Sequence, residues 1–385
     1  MCSVLNDEMA DRISENRKDE GGNSSSRTGR HESAHKNVEL VKAYGERYDL
    51  DYNPSTNEED INKMVEKTHV QMGPLVVLEM SCALAWQMGF LICQPKGFGK
   101  SCSLKALDES PLEFENKMWA DSLTPSGTKR SAGATDDDDA PSYADEMSHS
   151  ESHIFIDDLS TLMGREAGGT TFRFLSQLIY KKDWTDHSLM NVSIKGAELL
   201  VFVAGTPLTV NQMVKRDVWQ SHVKDRFLRV HWLYFEKPDL FESSFGGKDY
   251  PDIPNVSVYK GEDMDWLVDD KWKNRVRNLI QTQTSFPRAN LFTEKVLTGH
   301  ARLCNRSEVT NADAMWFLHY RPVIATENLF TIRPRRGGSG GREGGSLEAS
   351  SLKFMNLFPE VLAYVSLGYS RLQKIIDATN LQKGL

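Results

Sequence analysis

Eight residues carry the plainest chemistry in this chain: Gln94-Pro95-Lys96-Gly97-Phe98-Gly99-Lys100-Ser101. A glycine-rich loop that ends in Lys-Ser and opens a helix is a phosphate cradle, because free backbone N–H groups converge at the helix start. The pattern is G-x-x-x-x-G-K-[ST]. Gly99, Lys100 and Ser101 match it, and Gln94 stands where the first glycine belongs. Lys100 is placed to reach β- and γ-phosphates and Ser101 to ligate Mg²⁺, while Gly97 and Gly99 let the backbone approach without a Cβ in the way. The helix start Lys100-Ser101-Cys102 completes the binding set. A glycine-rich surface turn is the alternative reading of the same residues.

Two acids follow downstream, Asp157 and Asp158, at the end of the apolar run His153-Ile154-Phe155-Ile156. In a phosphate site the first would hold Mg²⁺ and the second would orient or deprotonate an attacking water. The plain alternative is a buried strand with Asp158 capping what comes next. Leu199 to Ala204 is a continuous apolar run that reads as a buried parallel strand. Thr206, at its tip, would lie between the two phosphate-binding strands or simply form the turn before Pro207. Arg226 and Arg229 stand near a strand expected over Val230–Phe235. They could serve a phosphate in a neighbouring subunit, or form local salt bridges.

The elements that position these residues can be read from the surrounding pattern. Gly89 to Cys93 is a buried strand before the loop, and Leu104 to Leu107 continues the helix after it. Thr56 opens a helix expected to run to about His69, with acids in its first turn, and Leu75 to Met88 has helical spacing. Phe172 to Ile179 is helical, and Lys181 to Glu198 reads as a hairpin-like insertion. Residues 122–152, with Asp136-Asp137-Asp138-Asp139 among small polar residues, read as a solvated, disordered insertion. Asp263 to Tyr320 is helical in pattern, with Pro287 at one helix start and Thr310-Asn311-Ala312-Asp313 as a capping box before another.

The chain has 385 residues, 39% of them hydrophobic, and a net charge of −8. That is enough for two packed units plus tails, and the acidity argues against a general electrostatic grip on nucleic acid. The basic segment Arg333 to Arg342 and the insertion Lys181 to Lys195 are the local hints of nucleic acid. Five scattered cysteines without C-x-x-C spacing fit reduced thiols and a cytoplasmic or nuclear location. No secretory signal and no apolar run of about 18 residues is visible, so no membrane span is expected.

In their order, these motifs resemble those of AAA+ ATPases, and more narrowly the MoxR/RavA branch. The resemblance covers about residues 60 to 322, outside the acidic insertion. It rests on Gln94–Ser101, Phe155–Asp158, Phe202–Pro207, Asp225-Arg226-Phe227 and Ser285-Phe286-Pro287-Arg288-Ala289, followed by Gly299–Leu303 and Val309–Asp313. It implies a P-loop α/β fold with a central parallel sheet and a small all-helical lid. The boundaries expected are a tail over 1–36, a nucleotide-binding domain over 37–250, a lid over 255–332, a Gly-rich linker over 333–350 and closing helices over 351–385. The resemblance further implies ATP and Mg²⁺ as cofactors, ATP hydrolysis, and a ring, with six subunits expected, that remodels a protein client. Thr206 falls at the sensor-1 position, Arg226 is the arginine-finger candidate with Arg229 as its possible replacement, and Arg288 resembles sensor 2, which reads the γ-phosphate.

Three residues depart from the family pattern: Gln94 for the first glycine, Asp158 for the usual glutamate, and Thr206 for the usual asparagine. The shorter acid displaces its oxygen by about 1.5 Å, one C–C bond, and misplacement on the order of 1 Å costs ~100-fold in rate. A degenerate scaffold that binds ATP with little turnover, and a nucleic-acid motor or loader of the same class, are the rival readings.

Overall fold

In the computed structural model, residues 52–69, 72–94, 99–120, 142–163, 167–185, 193–213, 216–217, 219–232 and 249–325 are described. The expected tail, Gly97, the tetra-aspartate, the Gly-rich linker and the closing helices lie outside them. Strand β1 (Met88–Cys93) is buried at every position, as an apolar run with both faces covered must be. It sits inside a five-stranded sheet with β2 (Asn116–Trp119), β3 (Glu151–Ile156), β4 (Glu198–Gly205) and β5 (Phe227–His231). The order is β2-β3-β4-β1-β5, and every pairing is parallel. The chain is thus α/β with a central parallel sheet, the class its sequence pattern implies.

Helices pack on the sheet and on one another. They are α1 (Thr56–Val65), α2 (Gly73–Ala83), α3 (Lys100–Asp108), α4 (Tyr143–Met147), α5 (Ala167–Lys181), α6 (Pro207–Met213), α7 (Asp270–Gln281), α8 (Phe286–Leu303) and α9 (Asn311–Leu318). A capping box of Ser55 and Glu58 starts α1, and another of Thr310 and Asp313 starts α9. Pro74 and Pro287 occupy the first turns of α2 and α8, where a missing N–H costs nothing. Leu91, Ile154, Val201, Phe172 and Phe227 contribute to a core with no exposed surface at these positions. Gly299 lets α8 lie directly on α2, since a Cβ there would run into the Ser81 carbonyl oxygen. Residues 52–320 form one compact unit; a second comprises 1–51 and 321–385, of which helix α10 (Arg321–Ala325) is described. No described helix is long and apolar enough to cross a membrane.

Several elements differ from expectation. Helix α1 stops at Val65, short of His69. The end of the supposed disordered stretch folds: Ser142 and Asp145 form a capping box that starts α4, and β3 begins at Glu151. The insertion between α5 and β4 does contain a short antiparallel pair, Trp184–Thr185 with Ser193–Ile194. The strand expected at Val230 begins instead at Phe227. The reason is Arg229, a charge that reads as a strand breaker yet is fully buried. Its guanidinium donates to the carbonyl oxygens of Lys224 (2.7 Å), Phe227 (2.8 Å) and Gln283 (2.6 Å), so the buried charge is hydrogen-bonded inside the strand.

Candidate functional site

Two local devices shape the glycine loop's exit. Gly99 caps α3 at φ 86° and ψ 12°, a left-handed conformation that strains any residue with a Cβ. Ser103 N–H then closes the first turn on the Gly99 carbonyl at 3.0 Å. This leaves the helix start at Lys100, Ser101 and Cys102, each half-buried, at the C-terminal end of β1. On the other side of the loop, Gln94 N–H donates to the Gly205 carbonyl at 3.0 Å and fastens β1 to β4. The Gln94 side chain is fully buried, and neither of its amide atoms has a hydrogen-bond partner.

The acids lie at the same edge of the sheet as Gln94 and the start of α3. Because all strands are parallel, Asp157 after β3, Thr206 after β4 and Gln94 after β1 emerge at their common C-terminal edge. Strand β4 separates β1 from β3, so Thr206 stands between the two. Ligands of open α/β sheets bind outside this edge, where successive connections leave in opposite directions. One buried oxygen of Asp157, Oδ1, has no hydrogen-bond partner. Burial, with the carboxylates of Asp249 and Asp157 adding to it against the pull of Lys105, pushes the Cys102 thiol up. Asp157 is therefore close enough to α3 to act on its first turn.

Asp158 and Thr206 each do a local job. Asp158 Oδ1 accepts from Ser160 N–H at 2.8 Å and caps the short 3₁₀ turn Leu159–Met163. Thr206 pairs its hydroxyl with that of Thr209 at 2.8 Å at the start of α6. These are the alternative roles the sequence offered, and they leave both residues at the loop's edge of the sheet.

Arg226 and Arg288 are elsewhere. Arg226 precedes β5, at the N-terminal edge of the sheet, where its carbonyl receives Gly89 N–H. Arg226 and Arg288 both lie against the ring of Tyr180, with guanidinium carbons 4.9 and 4.2 Å from its centroid. Burial first, then the neighbouring Arg288 charge, lowers the Arg226 pKa. The six residues of β1 span about 20 Å at ~3.3 Å per residue, so Arg288 cannot read a phosphate held by Lys100 of its own chain. Arg229, the alternative finger, is locked into the backbone bonds described above and is not a site residue.

Three groups escaped sequence reasoning. Tyr180, 56% exposed, gives no motif signal ahead of the insertion. Glu79 is fully buried under α3 with both carboxylate oxygens unpartnered, because nearby Ser103 gives its hydroxyl to the Lys100 carbonyl. Glu58, His300 and Cys304 come together from α1 and the end of α8. The i, i+4 spacing of His300 and Cys304 was the one available hint of the last group.

No protein-family profile matches this chain, and no curated protein sequence does. Among solved structures it is similar to a "putative ATPase" from Cytophaga hutchinsonii, at 12% identity and a TM-score of 0.36, over 74% of this chain and 90% of that one. A likeness that remote has no bearing on activity.

Proposed function

We propose that this chain is a P-loop nucleotide-binding protein of the AAA+ type that binds ATP with Mg²⁺ at the C-terminal edge of its sheet and hydrolyses it. The observation that carries the reading is the buried, unpartnered Oδ1 of Asp157 beside a helix start built on left-handed Gly99. An isolated buried carboxylate oxygen is costly unless a cation or donor meets it. Ser101 and Asp157 are a hydroxyl and a carboxylate, the hard oxygen donors that suit Mg²⁺. When bound, the metal supplies charge neutralisation between the β- and γ-phosphates.

The chain's own residues do the rest. The first N–H groups of α3 receive phosphate oxygens, and Lys100 adds its charge to the β- and γ-phosphates. Asp158 keeps its capping oxygen on Ser160 and turns the other to an attacking water. Thr206 holds that water's neighbourhood through a hydroxyl already oriented by Thr209. A ring with ATP at its interfaces would let Arg226 serve a neighbour's phosphate, since it cannot reach one held by its own chain. Protein remodelling and the MoxR/RavA affinity rest on the sequence motifs alone.

Steady-state ATP turnover tests the reading. Wild type is expected to hydrolyse ATP slowly, Lys100→Ala not at all, and Asp158→Glu differently from wild type. Equal turnover in wild type and Lys100→Ala would place any activity outside this loop.

A further inference from the structure

Away from the phosphate edge, three ligand-type side chains converge where α1 meets the end of α8. His300 Nε2 is 3.4 Å from Glu58 Oε1 and 3.5 Å from Cys304 Sγ, and Cys304 Sγ is 3.7 Å from Glu58 Oε2. Glu58 and His300 are buried, and Cys304 is half-buried. Zinc bonds of about 2.0–2.3 Å to oxygen, nitrogen and sulfur give tetrahedral edges of about 3.3–3.6 Å. The His300–Glu58 and His300–Cys304 separations match those edges, and one donor atom from each of the three residues lies within 4.8 Å of the other two.

The surroundings orient the ligands as well. His300 Nδ1 lies 2.6 Å from Asp313 Oδ1, and Arg306 in turn donates to Asp313 at 2.6 and 3.2 Å. A carboxylate on the far nitrogen holds the imidazole with Nε2 facing the other donors, as it does behind most metal-binding histidines. Trp316 stacks on the ring with centroids 3.8 Å apart and fixes its plane. The Tyr52 hydroxyl donates to Glu58 and is 3.3 Å from Nε2. That hydroxyl is committed to Glu58, and among the described residues no fourth protein ligand joins the three. Sulfur with nitrogen and one carboxylate selects zinc over magnesium or calcium.

We infer that Glu58, His300 and Cys304 form a zinc site that clasps helix α1 to the end of helix α8. Binding releases the Cys304 thiol proton, and any proton on Nε2, to solvent. The clasp is independent of the nucleotide reading, since its residues come from α1 and the end of α8 and none is a candidate phosphate-site residue.

The test uses the full chain, stripped with chelator and titrated with Zn²⁺ or Co²⁺ in the presence of excess Mg²⁺. Wild type should take up one zinc per chain and melt at a higher temperature when loaded. Its cobalt form should show a thiolate charge-transfer band and the visible bands of tetrahedral Co²⁺. Cys304→Ser, a near-isosteric change at a half-buried position, should bind zinc at least tenfold more weakly and lose the charge-transfer band. Uptake that is equal in wild type and Cys304→Ser overturns the inference, whichever other cysteines are responsible. So does a wild-type cobalt form without the thiolate band, a readout that depends on no variant folding.

Discussion

At the scale of single residues, the candidate site is marked by polar atoms that the fold leaves unmatched. Asp157 Oδ1 and both amide atoms of Gln94 are buried without hydrogen bonds, a state that costs about 1–3 kcal/mol per group. Stability given up at one strand edge points to binding there. Asp157→Asn should therefore leave the ligand-free protein as stable as wild type or slightly more so by thermal melting, while removing the Mg²⁺ dependence of nucleotide binding. Asp158 poses a different question, because capping and water activation use the same carboxylate. Asn can still accept from Ser160 N–H but cannot take a proton. Asp158→Asn should thus keep the wild-type melting temperature and lose turnover, whereas Asp158→Ala should lose turnover and about 1 kcal/mol of stability. Equal turnover in wild type and Asp158→Asn would leave Asp158 with its cap alone.

At the scale of elements, the sequence showed the apolar runs well and the buried charges poorly. Strands β1 and β4 are legible because their hydrophobic runs are nearly continuous, whereas β3 shows only its Ile154-Phe155-Ile156 half, its start at Glu151 and Ser152 falling in the stretch read as disordered. Strand β5 was read late because Arg229 counts as polar in any pattern, and only three-dimensional partners reveal why it is tolerated. Arg229→Met should destabilise the chain by roughly 3 kcal/mol or more, since it strands carbonyl oxygens that the guanidinium now serves. Glu79 is a second such residue, an acid inside the most apolar helix. Burial raises its pKa from 4.5 to about 8. An acid raised on folding holds its proton more tightly in the native state. Its stabilising effect is complete below pH 4.5 and is lost as pH climbs towards about 8. Denaturant melts of wild type should weaken across that window, and Glu79→Gln should flatten the decline. A slope unchanged in the variant would assign it to other groups.

For the whole molecule, parallel pairing separates the expected site residues into two groups. Lys100, Ser101, Asp157, Asp158 and Thr206 share the C-terminal edge of the sheet, an arrangement that their positions at strand ends already implied. Arg226 and Arg288 share Tyr180 at the opposite edge, which no motif could disclose because it depends on how α5, β5 and α8 meet. If Arg226 serves a neighbour's nucleotide, two inactive variants should rescue each other. Mixed Lys100→Ala and Arg226→Ala subunits would form some interfaces with an intact loop on one side and an intact finger on the other. Turnover that recovers on mixing supports action between subunits, and mixtures as silent as their components would refute it.

The most direct measurement is equilibrium binding of ATP to the purified chain, by calorimetry, with and without Mg²⁺, beside Lys100→Ala and Asp157→Asn. The account predicts Mg²⁺-dependent binding by wild type at one site per chain. It predicts at least tenfold weaker binding by Lys100→Ala, and weak binding by Asp157→Asn that Mg²⁺ no longer improves. Wild-type binding that survives both substitutions unchanged, or no binding of ATP at all, would contradict a phosphate site at this edge of the sheet.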